Sequence, residues 1–145
     1  MTLQREQIQL GTNVYGDHTT DPAEGLTGSI HPEFSRRFVH HEPANSVVQP
    51  QKDLGPVAPV IRGTMLFYET SVPDFVADVG DDSADRKLYW MDCGTEVYAW
   101  VRAGVTSRER WGDGWSAYFQ LVTFEFTSLR TAVYRSADDS IWMGG

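Results

Sequence analysis

The chain has a single cysteine, Cys93, in 145 residues. One thiol cannot close an internal disulfide, so no covalent staple organises this fold. Cys93 reads as a small buried or half-buried side chain. A catalytic thiol would need a histidine base beside it, and all four histidines (His18, His31, His40, His41) lie in the front of the chain. Long apolar runs are also missing. No stretch of about 18 apolar residues occurs, so no membrane span is expected. The opening MTLQREQ is polar and lacks the apolar segment of a secretory signal. A cytoplasm-like compartment is therefore expected, unless the protein leaves as part of a particle. Basic charge is in short supply, with 12 basic against 20 acidic residues and a net charge of −8. That balance argues against an electrostatic nucleic-acid binder, which needs a basic face. The motifs of the common catalytic folds are absent as well: no G-x-S-x-G, P-loop, dinucleotide fingerprint or H-E-x-x-H occurs. No enzyme activity and no cofactor are expected.

Aromatic residues are scarce in the front and dense in the back. All five tryptophans lie between Trp90 and Trp142, whereas residues 1–56 hold only Tyr15, Phe34 and Phe38. Between Gly11 and Pro56 the chain is broken repeatedly by glycine and proline, which interrupt helices and remove strand donors. Apolar residues come there singly or in pairs, like anchors on a strap. The expectation is an extended N-terminal arm over residues 1–56 and a compact β domain over residues 57–145. Tyr15, Leu26, Ile30, Phe34, Phe38 and Val39 would be the arm's apolar contacts with a partner. Arg36 and Arg37 would be its ion-pair anchors on an acidic surface. Deletion of residues 1–50 should then leave a folded domain that has lost its partner.

The back half reads as strands. Residues 57–70 are β-rich, with a break at Gly63. Residues 71–87 read as a loop with clustered aspartates, and residues 87–91 as a short strand ending in a turn at residues 92–95. Residues 96–102 alternate, with Val97, Ala99 and Val101 on one face and Tyr98 and Trp100 on the other. Two filled faces suggest a strand between layers or against a partner. Residues 106–114 read as a polar loop, residues 115–127 as the longest strand, residues 129–135 as another, and residues 141–143 as the last. Short strands with frequent turn signals predict a mainly β fold, an antiparallel sandwich or small barrel. Trp90 and Trp100 are expected in the core, with Trp142 closing the last strand.

Three clusters carry candidate chemistry. Asp78, Asp81, Asp82 and Asp85 crowd one loop, but their spacing lacks the ligand order of an EF-hand, and Arg86 and Lys87 would compete for the carboxylates. No metal site is expected. His40-His41-Glu42 lacks a second ligand cluster at metal-binding spacing. Arg110, Trp111 and Trp115 surround a glycine-rich tip that would suit stacking on a sugar ring, or tucking into the core or a subunit contact.

In its layout of arm plus compact β domain, the chain resembles small accessory structural proteins of tailed-bacteriophage virions. The resemblance lies in residues 1–56 and 57–145 as blocks, not in a motif. It implies a capsid decoration or cement protein, docking on the major capsid protein and forming a homo-oligomer, with no direct contact to nucleic acid or membrane. Head–tail connector and minor tail proteins are the alternatives nearest to that reading. A β-sandwich carbohydrate-binding module acting through Trp111 and Trp115 is the reading from a different class.

Overall fold

The structure, a computed structural model, describes residues 3–17, 19, 23–40, 51–110 and 119–145, with side chains described except at 37–40, 51–54 and 110. Among these residues the chain forms eleven strands and one α-helix. In chain order they are β1 (Ile8–Leu10), β2 (Asn13–Tyr15), β3 (Gly25–Leu26), β4 (His31–His40), β5 (Gln51–Tyr68), α1 (Val72–Val79), β6 (Arg86–Asp92), β7 (Thr95–Val101), β8 (Gly104–Arg110), β9 (Phe119–Thr127), β10 (Ala132–Arg135) and β11 (Ile141–Gly144). The fold is mainly β, with two antiparallel sheets packed together. The first sheet has six strands in the order β11-β10-β7-β6-β1-β2. The second runs β3-β5-β9-β8, and β4 also pairs with β5.

Strand alternation explains the core. In β9, Val122, Phe124 and Phe126 point inward, while Thr123 and Glu125 point out. In β5 the inward set is Ile61, Gly63, Met65 and Phe67. The first sheet answers with Leu88 and Trp90 from β6 and with Val97, Ala99 and Val101 from β7, all fully buried. Phe75 of α1 closes the core between Phe67, at 4.7 Å, and Phe124, at 5.9 Å between ring centroids.

The front of the chain is not a coreless arm. Strand β1 lies inside the first sheet, between β2 and β6, with Ile8 opposite Trp90 and Leu10 opposite Leu88. Leu3, Ile8, Leu10 and Ile30 are all buried. Nor is residue 56 a boundary, because β5 runs through it without a break. Tyr15, Leu26 and Ile30, which look like anchors in sequence, are here positions of the same sandwich.

Four other readings are corrected. Residues 71–87 contain the helix α1. Pro73 opens it, Asp74 sits in its first turn, and Val72, Phe75 and Val79 form its buried face. Of residues 106–114, those up to Arg110 belong to the edge strand β8, paired with β9 from Gly104 to Arg110. Trp100 points away from the core, being opposite Lys87 on the outer face of the first sheet. Cys93 is exposed at the β6–β7 turn, with φ at +50° next to Gly94 at +80°, a pair of left-handed residues that suits a tight hairpin. Trp90 is fully buried as expected, and Trp142 in β11 packs against the core and donates its indole N–H to Asp92 at 2.7 Å.

Candidate functional site

Strands β4 and β5 form a hairpin that outgrows the sandwich. Strand β9 covers β5 only from Val60 to Tyr68, whereas β4 pairs with it from Arg62 back to Gln51. Just past that pairing, the Ser128 N–H donates to the Pro59 carbonyl, at 2.9 Å. Beyond Pro59, the β5 segment and β4 pair only with each other among the described residues. At about 3.4 Å per residue, the ribbon reaches roughly 27 Å past that point.

The ribbon's sequence explains its form. The register shifts twice, between Glu33 and Ser35 and between Arg36 and Phe38. Gly55, at φ +96°, sits beside the second shift. Such irregularities add twist and coil a two-stranded ribbon. Pro32 and Pro56 carry no N–H, which thins the row of donors a free edge would otherwise offer. At the root, Phe34 of β4 is 38% exposed and lies over Gly144 of β11. A shallow cleft of about 390 Å³ opens there between Phe34, Arg36, Pro56, Thr131 and Gly144. On the outer face of the second sheet, Arg62 bridges Glu33 of β4, at 2.5 Å, and Glu125 of β9, at 2.8 Å. All three side chains are well exposed, so the bridge orients the root more than it stabilises it.

The residues expected to contact a partner separate into three groups. Tyr15, Leu26 and Ile30 are used internally. The Tyr15 ring stands edge-on to Phe75 at 4.8 Å and its hydroxyl donates to Asp78, Leu26 packs against the core, and Ile30 is buried. Phe34 and Arg36 are at the ribbon root, Phe34 half-exposed and Arg36 exposed. Arg37, Phe38 and Val39 lie in β4 along the ribbon, with side chains outside the described residues. Of the expected tip, only the backbone of Arg110 is described, at the end of β8. Trp111 and Trp115 lie outside the described residues, as do His41 and Glu42.

The acidic loop is organised by an arginine, as the sequence suggests. Arg86 binds the Asp78 carboxylate at 2.5 Å and donates to the carbonyls of Asp78, Asp81 and Arg102. The other Asp78 oxygen accepts from Tyr15 and Asn13. Asp78 is therefore saturated by protein donors. Lys87 does not compete for it and instead sits over the Tyr98 and Trp100 rings. Among the described residues no group of three or more potential ligands gathers to hold a metal ion.

The sequence draws attention to this same stretch of chain but suggests a different form for it. The signal that would have revealed the hairpin is the pair of extended segments on either side of residues 41–50, once β5 is allowed to start before Pro56. No family model matches the chain, and no curated protein matches it in sequence.

Proposed function

We propose that this protein is a non-catalytic structural subunit of a larger assembly, of the accessory kind found in tailed-bacteriophage virions, and that it engages its neighbour through the β4–β5 ribbon. The observation that carries this reading is the ribbon's extent beyond the sheet that supports it. A two-stranded ribbon is marginally stable alone in water, because it lacks a third strand or a packed face. A neighbouring subunit can supply both, by adding a strand to a free edge and by accepting side chains into its surface. Capsid decoration or cement is the specific role this favours, since a lattice repeats the docking site and turns modest contacts into avidity. A head–tail connector or minor tail protein would use the same device on a different neighbour.

The experiment replaces residues 36–56 with an Asn-Gly turn, joining Ser35 to Val57, which are already paired. The shortened protein should keep the cooperative unfolding of the parent. It should be missing from assembled particles, as judged by mass spectrometry and electron microscopy of the purified particle. Normal incorporation of the shortened protein would reject the reading.

A further inference from the structure

The outer face of the six-stranded sheet carries a pattern that the ribbon does not use. Cross-strand register aligns one residue from every strand: Val14, Gln9, Tyr89, Tyr98, Tyr134 and Ile141. The row crosses the whole sheet, roughly 24 Å at the usual strand spacing. Its ends are apolar and open, with Val14 42% and Ile141 52% exposed. The three tyrosines in the middle pack ring to ring, with centroids 5.5 Å and 5.6 Å apart; Tyr98 is 4% exposed beneath its neighbours, so Tyr89 and Tyr134 carry the accessible ring surface.

Charge is sorted on the two sides of this row. One step along the strands, Lys87 pairs with Trp100. The Lys87 ammonium lies 4.6 Å from the Tyr98 ring centre, and the Arg130 guanidinium lies 5.2 Å from that of Trp100. Neither cation has a carboxylate partner among the described residues. One step the other way, Glu96 pairs with Met91. Beside it the Asp139 carboxylate accepts the Tyr98 hydroxyl at 2.7 Å. The face is thus positive on one side, aromatic along its middle and negative on the other.

We propose that this face is a self-association surface whose occupant is a second copy of the same chain. A two-fold axis lying along the tyrosine row turns one face onto the other. It sets the row against itself and places Lys87 and Arg130 of each copy opposite Glu96 and Asp139 of its partner. A surface of this kind is self-complementary, as an isologous interface requires. Tyrosine, tryptophan and arginine are also the residue types that dominate interface energetics. The breadth of the row, spanning all six strands, suits another protein surface better than a small ligand, which favours a concave site. The inference rests on the first sheet alone and is independent of the ribbon's role.

Sedimentation equilibrium of the full chain tests it. The expected mass is twice 16.3 kDa, with dissociation favoured by added salt. Lys87→Glu and Glu96→Lys should each raise the dissociation constant by about tenfold or more, through like charges at both ends of the interface. Mixed in equal amounts, the two variants should recover a dimer close to the wild type, since each then meets its opposite charge. Ile141→Glu, at an exposed side chain, should weaken the dimer without lowering the thermal midpoint at concentrations dilute enough for both proteins to be monomeric. A wild-type protein that stays monomeric across a concentration series would overturn the proposal. So would a dimer untouched by Ile141→Glu, or single-charge variants whose mixture fails to recover. The ribbon-shortened protein should still sediment as a dimer, so the two readings fail separately.

Discussion

At the scale of single residues, close packing leaves little slack at Gly63. A Cβ there would lie 2.6 Å from the Phe124 ring and 3.1 Å from Ile30, and its cross-strand neighbour is Phe124 itself. The glycine makes room for an aromatic ring that would otherwise be displaced from the core. Gly63→Ala is expected to destabilise the protein by about 1–3 kcal/mol, as an overpacked core does. A urea titration followed by tryptophan fluorescence would measure it, and a change under about 0.5 kcal/mol would mean that the ring moves freely aside. Tyrosine protonation gives a second residue-level prediction. Burial, and then the hydrogen bond to Asp139, push the Tyr98 phenol up to about 12. Burial and the bond to Asp78 also raise Tyr15. Above about pH 10 the unfolded chain releases these protons while the folded chain keeps them. Their stabilisation is therefore complete below about pH 10 and is lost as the pH climbs toward 12. The thermal midpoint should fall steeply across that window. Tyr98→Phe should flatten part of the fall, and an identical slope in the variant would remove Tyr98 as its cause.

At the scale of elements, Arg86 holds the end of α1 to the first sheet. It reaches from β6 to Asp78, the carbonyl of Asp81 and the carbonyl of Arg102, and through Asp78 the clamp extends to Tyr15 of β2. The Arg86 and Asp78 side chains are 15% and 14% exposed, so water replaces their contacts poorly. Arg86→Met should cost roughly 2–4 kcal/mol, because Asp78 would keep its charge but lose its counter-ion. Hydrogen exchange should quicken in residues 72–82, while exchange in β9 changes less. Uniform quickening would show that α1 has no separate stability.

The same elements show what is legible in the sequence. Strands β6, β7 and β9 are readable because each presents an alternation with a full inward row. Helix α1 carries its signals, Pro73, Asp74 and the spacing of Val72, Phe75 and Val79, but eight residues among aspartates are too few for the period to stand out. Strand β8 is opaque for a different reason. Its inward position at Gly104 is already filled by the Phe126 ring, 2.7 Å from where a Cβ would be, so it needs no apolar row and is held by its ladder to β9. Strand β1 is three residues long, and its burial follows from neighbours about 80 positions away, Leu88 and Trp90. The candidate site is legible as a location, since residues 31–57 look extended and poor in core residues. Its hairpin form is not, because the pairing depends on register shifts that no local pattern announces.

At the scale of the whole molecule, the question is which part of the front half can be removed. The sequence alone suggests that residues 1–50 are dispensable for folding. The structure predicts the opposite. Such a deletion removes β1, β2, β3 and β4, strips one edge from each sheet, and uncovers Trp90 and Leu88 on the side where β1 pairs. It also removes Leu3, Ile8, Leu10 and Ile30 from the interior. At about 1.5–3 kcal/mol for each buried aliphatic side chain, the loss is on the order of 6–12 kcal/mol. That equals most or all of the roughly 5–15 kcal/mol by which a domain is stable. The truncated chain should therefore be unfolded or aggregated, with tryptophan emission shifted to the red and no cooperative melting transition. Excision of residues 36–56 removes no buried residue of the described core and should leave the transition in place. The two truncations form a pair. If both fold, the front half is an arm after all; if neither folds, the ribbon is part of the domain's own stability and cannot be reserved for a neighbour. Only a folded ribbon deletion beside an unfolded 1–50 deletion fits a sandwich that uses the start of its chain as core and extends the hairpin after it toward another subunit.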